Sequence, residues 1–454
     1  MRLLILSFHS CDGWCRYLAR NVQAEDALVV SDVRGDGDVC ITDDFYKNYR
    51  SENSCELTES FFSIDEIADI IERCRTLRNL DRALATRMIG AMAKTYNELL
   101  SAWQPTLILA ITIDRYTFDI MARLAGRREV SIIEMTTSII PEHILFMRRG
   151  KMIQLRQPEA DEFAKYIPIL CQRNWAPSYV DQETKFNAFH YWKTFLYHRL
   201  RSYVFDVYRH LRRDPLNIHY LEALPKRSHR VRLSDANVLT LFRKDWEQCI
   251  STTPIQDRVF LALQVFPESS IDYWIAAREL LDHDNVIMSI VKTLCESGFT
   301  VFVKDHPNQF GFRKRELIDR LAAEENVVLV PYHVPGGLLL EACPYTVTLT
   351  STVGFQAAMM GKCAVVVDPY YAEAEAHFIK FKSIKDIDEL PKRMRAFVSP
   401  IDLLSRQKEI IGPCLAASAP GDIYSYLKFK EDSMEHQHRV APLIATLNLY
   451  LPNC

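Results

Sequence analysis

Between Arg258 and Val367 short apolar runs alternate with helix-length segments, and this rhythm restricts the fold more than any other feature of the chain. Val259-Phe260-Leu261-Ala262-Leu263 reads as a buried strand, and a helix is expected over 282–297. The strand Thr300-Val301-Phe302-Val303 runs into Lys304-Asp305-His306-Pro307, with a helix over 313–323 behind it. The strand Val327-Val328-Leu329-Val330, a helix over 336–342 and the strand Thr346-Val347-Thr348-Leu349 come next. The turn Thr350-Ser351-Thr352-Val353-Gly354, a helix to Met360 and a strand over 364–367 close the series. Strand-helix alternation of this kind predicts a parallel sheet with right-handed crossovers.

The same rhythm is present, more sparsely, in the N-terminal half. Leu3-Leu4-Ile5-Leu6-Ser7 is a short buried strand that enters the polar turn His9-Ser10-Cys11-Asp12-Gly13. One glycine there is too few for a dinucleotide fingerprint, and His9 and Asp12 are only secondary site candidates. Residues 63–101 read as helical: Ser63 and Glu66 have capping-box spacing, and Asn79 or Asp81 caps a second helix. Pro105 ends it before the strand Leu107-Ile108-Leu109-Ala110-Ile111, which Asp114 follows. A helix through Ile120, Met121 and Leu124 leads to Val130-Ser131-Ile132-Ile133, a strand expected to end at Glu134. Ligands of parallel sheets sit beyond the carboxyl ends of strands, so Asp114 and Glu134 are the candidate catalytic carboxylates. Their structural alternatives are a helix cap or an ion pair.

Composition sets the outer bounds. With 454 residues, 48% hydrophobic and a net charge of -3, the chain is a globular protein of two or three domains rather than a nucleic-acid binder. Its twelve cysteines are scattered, as expected of reduced core residues in the cytoplasm. A signal peptide needs an apolar stretch of roughly 7–15 residues and a membrane helix about 20, and the run Leu3 to Leu6 meets neither requirement. The stretch 185–244 holds thirteen Lys/Arg against four Asp/Glu, interleaved with aromatics such as Phe186, Trp192, Tyr197 and Tyr203. It is expected to be helical, broken at Pro215 and Pro225. Three readings stand for it: peripheral contact with the inner membrane, binding of an acidic glycan, or a solvated hairpin with a buried aromatic face. The expected organisation is a Rossmann-like domain over 1–180, this connector over 181–254, a second Rossmann-like domain over 255–400 and a helical tail over 401–454.

Two strand-end segments carry the chemistry. The Thr350–Gly354 turn would present hydroxyls and a helix N-terminus to an anion, and Lys304 and His306 would add cationic donors suited to phosphate. Pro307 restricts the backbone beside the histidine. No Asp-x-Asp pair is assigned to a divalent ion, so metal-independent chemistry is expected. Asp368, Tyr370, Tyr371 and Glu373 are weaker pocket candidates, and His283 and Asp284 read as a helix start.

These residues resemble a known group. Lys304-Asp305-His306-Pro307 is similar to the K-E-H-P motif of bacterial capsule polysaccharide synthesis proteins. Thr350-Ser351-Thr352-Val353-Gly354-Phe355-Gln356-Ala357, with Gly361-Lys362 after it, resembles their T-G-T-x-G-x-E-A…G-K-P segment, and Gln264 with Pro267-Glu268 resembles Q-x-x-P-E. The resemblance spans 255–375 and continues faintly in Asp114 and Glu134…Pro141. Gln356 replaces the usual Glu, Cys363 the usual Pro, and Glu134 lacks the neighbouring glycine.

The resemblance implies an α/β, GT-B-like fold: two Rossmann-like domains facing across a cleft, with a helical connector. It implies a glycosyltransferase of capsule or lipopolysaccharide synthesis that moves Kdo or a related acidic sugar from a CMP-activated donor to a glycan or glycolipid. Lys304, His306, Ser351, Thr352, Gly354, Gln356, Gln264 and Glu268 would hold the nucleotide sugar. No cofactor is implied beyond that donor, and no nucleic acid. The alternatives are a CDP-glycerol-type polyol-phosphate transferase and a non-catalytic glycan-assembly protein of the same fold.

Overall fold

The computed structural model describes residues 1–7, 11–51, 54–172, 175, 188–218, 233–310, 312–421, 423 and 429–451. His9, Phe186 and Pro225 therefore lie outside the described residues. The chain divides into two compact units, one of residues 1–156, 203–225 and 416–454, the other of 157–202 and 226–415.

The first unit is built on a twisted sheet of β1 (Arg2–Ser7), β2 (Asp26–Ser31), β3 (Val39–Cys40), β4 (Leu107–Ile111), β5 (Ser131–Thr137), β6 (His143–Arg148) and β7 (Lys151–Met152). β1 pairs in parallel with β2 on one side and β4 on the other. Leu3, Leu4, Ile5 and Leu6 are all buried, as a strand covered on both faces requires. The capping box forms as expected: the Ser63 hydroxyl accepts from Glu66 N–H while the Glu66 carboxylate accepts from Ser63 N–H, opening the helix Ile64–Arg73. Asp81 caps the helix Arg82–Trp103. One expectation fails. β5 runs on to Thr137, so Glu134 stands inside the strand, opposite Ala110 and Met147, and not at its end. The polar Thr136-Thr137 continuation hid this, because it is the pairing with the antiparallel β6 that carries the strand past Glu134.

The second unit contains β8 (Arg258–Ala262), β9 (Thr300–Lys304), β10 (Val327–Val330), β11 (Tyr345–Val347), β12 (Cys363–Val366) and β13 (Ile379–Lys380). Its spatial order is β10-β9-β8-β11-β12-β13, parallel throughout. This is the Rossmann order, in which the chain leaves β8 in one direction and resumes on its other side at β11. The helices His283–Glu296 and Arg315–Ala322 cover the sheet, and Ile290, Leu294, Leu317 and Leu321 fill the core beneath them. A last strand, β14 (Ser418–Pro420), pairs antiparallel with β6, which returns the chain end to the first unit.

The ten cysteines whose side chains are described are free, and six of them are buried. No described helix is long and apolar enough to cross a membrane. The helix Ala188–Leu211 occupies much of the basic aromatic stretch, and among its described side chains Phe205 and Tyr208 are half-buried. Tyr191 is buried, whereas Phe189, Trp192, Tyr197 and Tyr203 are exposed.

Candidate functional site

The switch point of the second sheet lies between β8 and β11, and the residues leaving those strands meet there. Gln264 Nε2 donates to Thr350 Oγ1 at 2.6 Å, and Thr350 N–H donates to Gln264 Oε1 at 2.8 Å. Thr350 Oγ1 donates in turn to Ser270 Oγ at 2.8 Å, and that hydroxyl donates to the exposed Glu268 carboxylate at 3.0 Å. From the other side Arg313 donates to the Gln264 carbonyl and, at 2.6 Å, to Asp305 Oδ1. Asp305 also accepts from His306 N–H and from the Tyr332 hydroxyl. One hydrogen-bonded chain therefore ties together the three segments that the sequence singled out. Three of its members, Asp305, Arg313 and Tyr332, carry no site signal in the sequence. Asp305 sits inside the conspicuous motif, yet its role depends on partners eight and 27 residues away.

The network fixes what His306 can do. Its Nδ1 accepts from Asn308 N–H at 3.1 Å, which leaves the ring proton on Nε2 as a donor. Burial lowers its pKa to about 4, so near neutral pH the ring is an uncharged donor rather than the cation expected from the sequence. Lys304 is buried, and its ammonium donates to the Tyr332 carbonyl at 3.1 Å and to the Asp305 carbonyl at 3.4 Å. Burial brings its pKa down to about 8. The lysine thus anchors the loop from beneath.

Ser351 caps the helix Thr352–Met359, its hydroxyl accepting from Val353 N–H at 3.4 Å, and with Thr352 it stays half-buried at the strand end. The buried Tyr371 reaches the same turn from below and donates to the Ser351 carbonyl at 2.5 Å. Gly354 is needed for close approach: a Cβ there would stand 2.7 Å from both the Tyr371 hydroxyl and Val366 Cγ1. Gln356 is not part of the network, because its Nε2 donates to the Trp175 carbonyl at 2.7 Å. β9 and β11 flank β8, so His306 and Ser351 leave strand ends about two strand spacings, roughly 10 Å, apart.

Asp368 pairs with Lys380, and Tyr370 packs edge-on against Trp274. His283 is more than a helix start: it is buried and stacks on Phe266 at 4.6 Å. Asp-x-Asp spacings do occur, at Asp36/Asp38, Asp282/Asp284 and Asp386/Asp388. Asp38 is held by Arg16 and Val29 N–H, Asp284 by His283 and Lys314, and Asp386 caps a turn at Ser383. Among the described residues no three His, Cys, Asp or Glu side chains are grouped for a metal.

In the first unit, Glu134 is fully buried, and its two oxygens accept from Ile113 N–H and Arg149 N–H. Burial raises its pKa. The carboxylate clamps the loop that carries Asp114. Asp114 keeps 28% of its side chain exposed, and its Oδ1 accepts from Arg115 Nε at 2.9 Å. Arg115 donates in turn to the buried Asp32 at 3.1 Å. Asp12 serves the structure, accepting from Gly37 N–H and Arg16.

Two Rossmann-like units in one chain, one with its polar cluster at the switch point, define a protein of the GT-B type. The particular family follows from sequence: the model of the capsule polysaccharide biosynthesis protein family matches residues 120–374, more than half of the chain. The chain belongs to that family, and it has the architecture of a glycosyltransferase. Among solved structures it is similar to Thermosulfurimonas dismutans KpsC, beta Kdo 2,4 transferase. The identity is 13%, with 71% of this chain and 86% of that one covered, and the TM-score is 0.33. The KpsC beta Kdo 2,7 transferase from the same organism gives 12% identity, 80% and 92% coverage and a TM-score of 0.32. UDP-GlcNAc 2-epimerase from Methanocaldococcus jannaschii gives 12% identity, 90% and 98% coverage and a TM-score of 0.27. A search of curated proteins finds no match.

Proposed function

We propose that the protein transfers Kdo or a related acidic sugar from a CMP-activated donor to a capsule or lipopolysaccharide glycan. The observation that carries this reading is the linked network Glu268-Ser270-Thr350-Gln264-Arg313-Asp305-His306 at the switch point of the second sheet. It holds the loop of the His306 Nε2–H donor and the Ser351-Thr352 helix start at the carboxyl end of the sheet, where a phosphate could take both. Such pre-oriented donors stabilise a departing phosphate with little reorganisation, and no metal is needed for that task. Lys304 adds positive charge beneath the loop, and Gln356 and Glu268 are assigned to donor hydroxyls.

In the transfer an acceptor hydroxyl oxygen bonds to the anomeric carbon as the bond from that carbon to the CMP phosphate oxygen breaks. The electron pair leaves with CMP, and the hydroxyl proton goes to a carboxylate. Asp114 is assigned that role because it is the exposed member of the carboxylate pair, and Glu134 is the residue that positions it. Peripheral contact with the inner membrane through 185–244 belongs to the same reading.

The test is a thermal-shift and calorimetry panel of CMP, CDP, UDP, GDP and ADP, without metal and then with magnesium. Binding to the folded state raises apparent stability by mass action, so no acceptor is required. A selective, magnesium-independent CMP response supports the proposal. A selective UDP or GDP response overturns the donor, a CDP response favours polyol-phosphate transfer, and silence favours an assembly protein.

A further inference from the structure

The helix Ala188–Leu211 turns an apolar side toward solvent. Phe189, Trp192, Leu196, Leu200, Tyr203 and Val207 recur at spacings of three and four residues, which sets them along one side of a helix. All six are exposed, Leu200 and Val207 to 56% and 62%. On the other side Tyr191 is buried and packs edge-on against Phe310 at 5.4 Å, which accounts for how the helix is held. With Tyr197, Val204 and Leu211 beside them, the exposed residues fill an arc of about 140° at about 100° per residue. Over 24 residues the strip runs roughly 36 Å. Monomeric proteins seldom leave a continuous apolar strip of that length to water.

We infer that this face lies on an anionic lipid surface, with the helix axis in the plane of the interface. Charge decides between occupants. Residues 188–213 hold six Lys/Arg against one Asp. Lys193 is exposed within the apolar arc, and the exposed Arg212 borders it. Two copies of the face set against each other would bring these cations together, whereas anionic headgroups neutralise them. The aromatic content points the same way, because Trp and Tyr rings settle at headgroup level with their polar atoms wet. A basic, aromatic, amphipathic helix that lies on a membrane rather than crossing it is the element these residues describe. The inference deepens the proposed membrane contact, and it does not depend on the identity of the donor.

The experiment is co-sedimentation of the full chain with phosphatidylcholine vesicles, with and without phosphatidylglycerol, for wild type and the double variant Leu200→Glu/Val207→Glu. Both positions are exposed, so the variant should melt like wild type. Wild type should bind the anionic vesicles, more weakly as salt is raised, and the variant should lose about tenfold or more in affinity. Absence of wild-type binding, or equal binding by the variant, overturns the inference. So does a wild-type dimer that the variant converts to monomer without any vesicle binding, which would assign the face to a second copy. CMP calorimetry on the same samples separates this outcome from the donor reading, since either can fail while the other stands.

Discussion

Gln264 and Thr350 hold each other across the switch point of the second sheet by a reciprocal pair of hydrogen bonds, amide to hydroxyl at 2.6 Å and backbone N–H to amide oxygen at 2.8 Å. Both residues are buried, so neither bond can be exchanged for one to water. The side-chain amide meets both atoms of Thr350 at once, its Nε2 donating and its Oε1 accepting. Gln264→Ala should therefore destabilise the second unit by about 1–3 kcal/mol, the cost of leaving buried polar groups unmade. It should also weaken CMP binding, because the strand ends lose their cross-link. Chemical denaturation and calorimetry on the same preparation check both.

His306→Ala should cost about tenfold or more in CMP affinity, the worth of one hydrogen bond to a charged group, with the melting temperature little changed. His306→Gln, which keeps a donor, should recover part of the loss. Equal CMP affinity in wild type and His306→Ala would remove the histidine from the site.

The depressed pKa of His306 has a sign that can be measured. Burial moves it from 6.5 to about 4 in the folded chain, so between those values the unfolded chain binds more protons. Stability contributed by this group is full above the unfolded value and is lost as pH falls through that window toward the folded value. The drop in stability from pH 7 to pH 5 should therefore be smaller in His306→Gln than in wild type. Denaturant midpoints at the two pH values give the comparison.

Gly354→Ala places a methyl group 2.7 Å from the Tyr371 hydroxyl and from Val366 Cγ1. Overpacking of that kind costs about 1–3 kcal/mol. Tyr371→Phe relieves one of the two contacts but loses the bond to the Ser351 carbonyl, so it should cost less stability in the Gly354→Ala background than in wild type. An unaltered melting temperature in the single variant would show that the helix can move away from β12.

Asp114→Asn should abolish most turnover while leaving nucleotide binding and stability near wild type, since the side chain is partly exposed and bonded only through Oδ1 among the described residues. Glu134→Gln should behave differently. Its amide cannot accept at both ends, so one of the N–H groups of Ile113 and Arg149 is left unmade in a buried setting. A loss of about 1–3 kcal/mol in stability is expected. Full stability with lost turnover in Glu134→Gln would reverse the two roles.

Much of the second unit was legible in the chain itself. Val301-Phe302-Val303 and Val327–Val330 are short apolar runs set between helix-length segments, and strands buried on both faces can hardly be written otherwise. The capping box at Ser63 and Glu66 was equally plain, because both partners lie within one helical turn. β2 and β6 also carry apolar runs, Ala27-Leu28-Val29-Val30 and Ile144-Leu145-Phe146-Met147, but nothing local sets their pairing, and β14, three residues long, finds its partner β6 far away in the sequence. An edge strand of that kind is defined by what it pairs with.

The candidate site divides along the same line. The residue types at the two strand ends, Lys304-Asp305-His306-Pro307 and Thr350-Ser351-Thr352, are properties of the sequence, and so is their position after apolar runs. Tertiary structure alone decided how those residues are used. It gave the Lys304 ammonium to backbone carbonyls, made His306 a neutral donor, joined Asp305 to Arg313 and Tyr332, and put Glu134 inside a strand instead of at its end. The physical reason is that hydrogen-bond partners and desolvation are set by neighbours distant in sequence. Local patterning determines which strands and turns form, and packing determines which polar atoms remain available for a ligand.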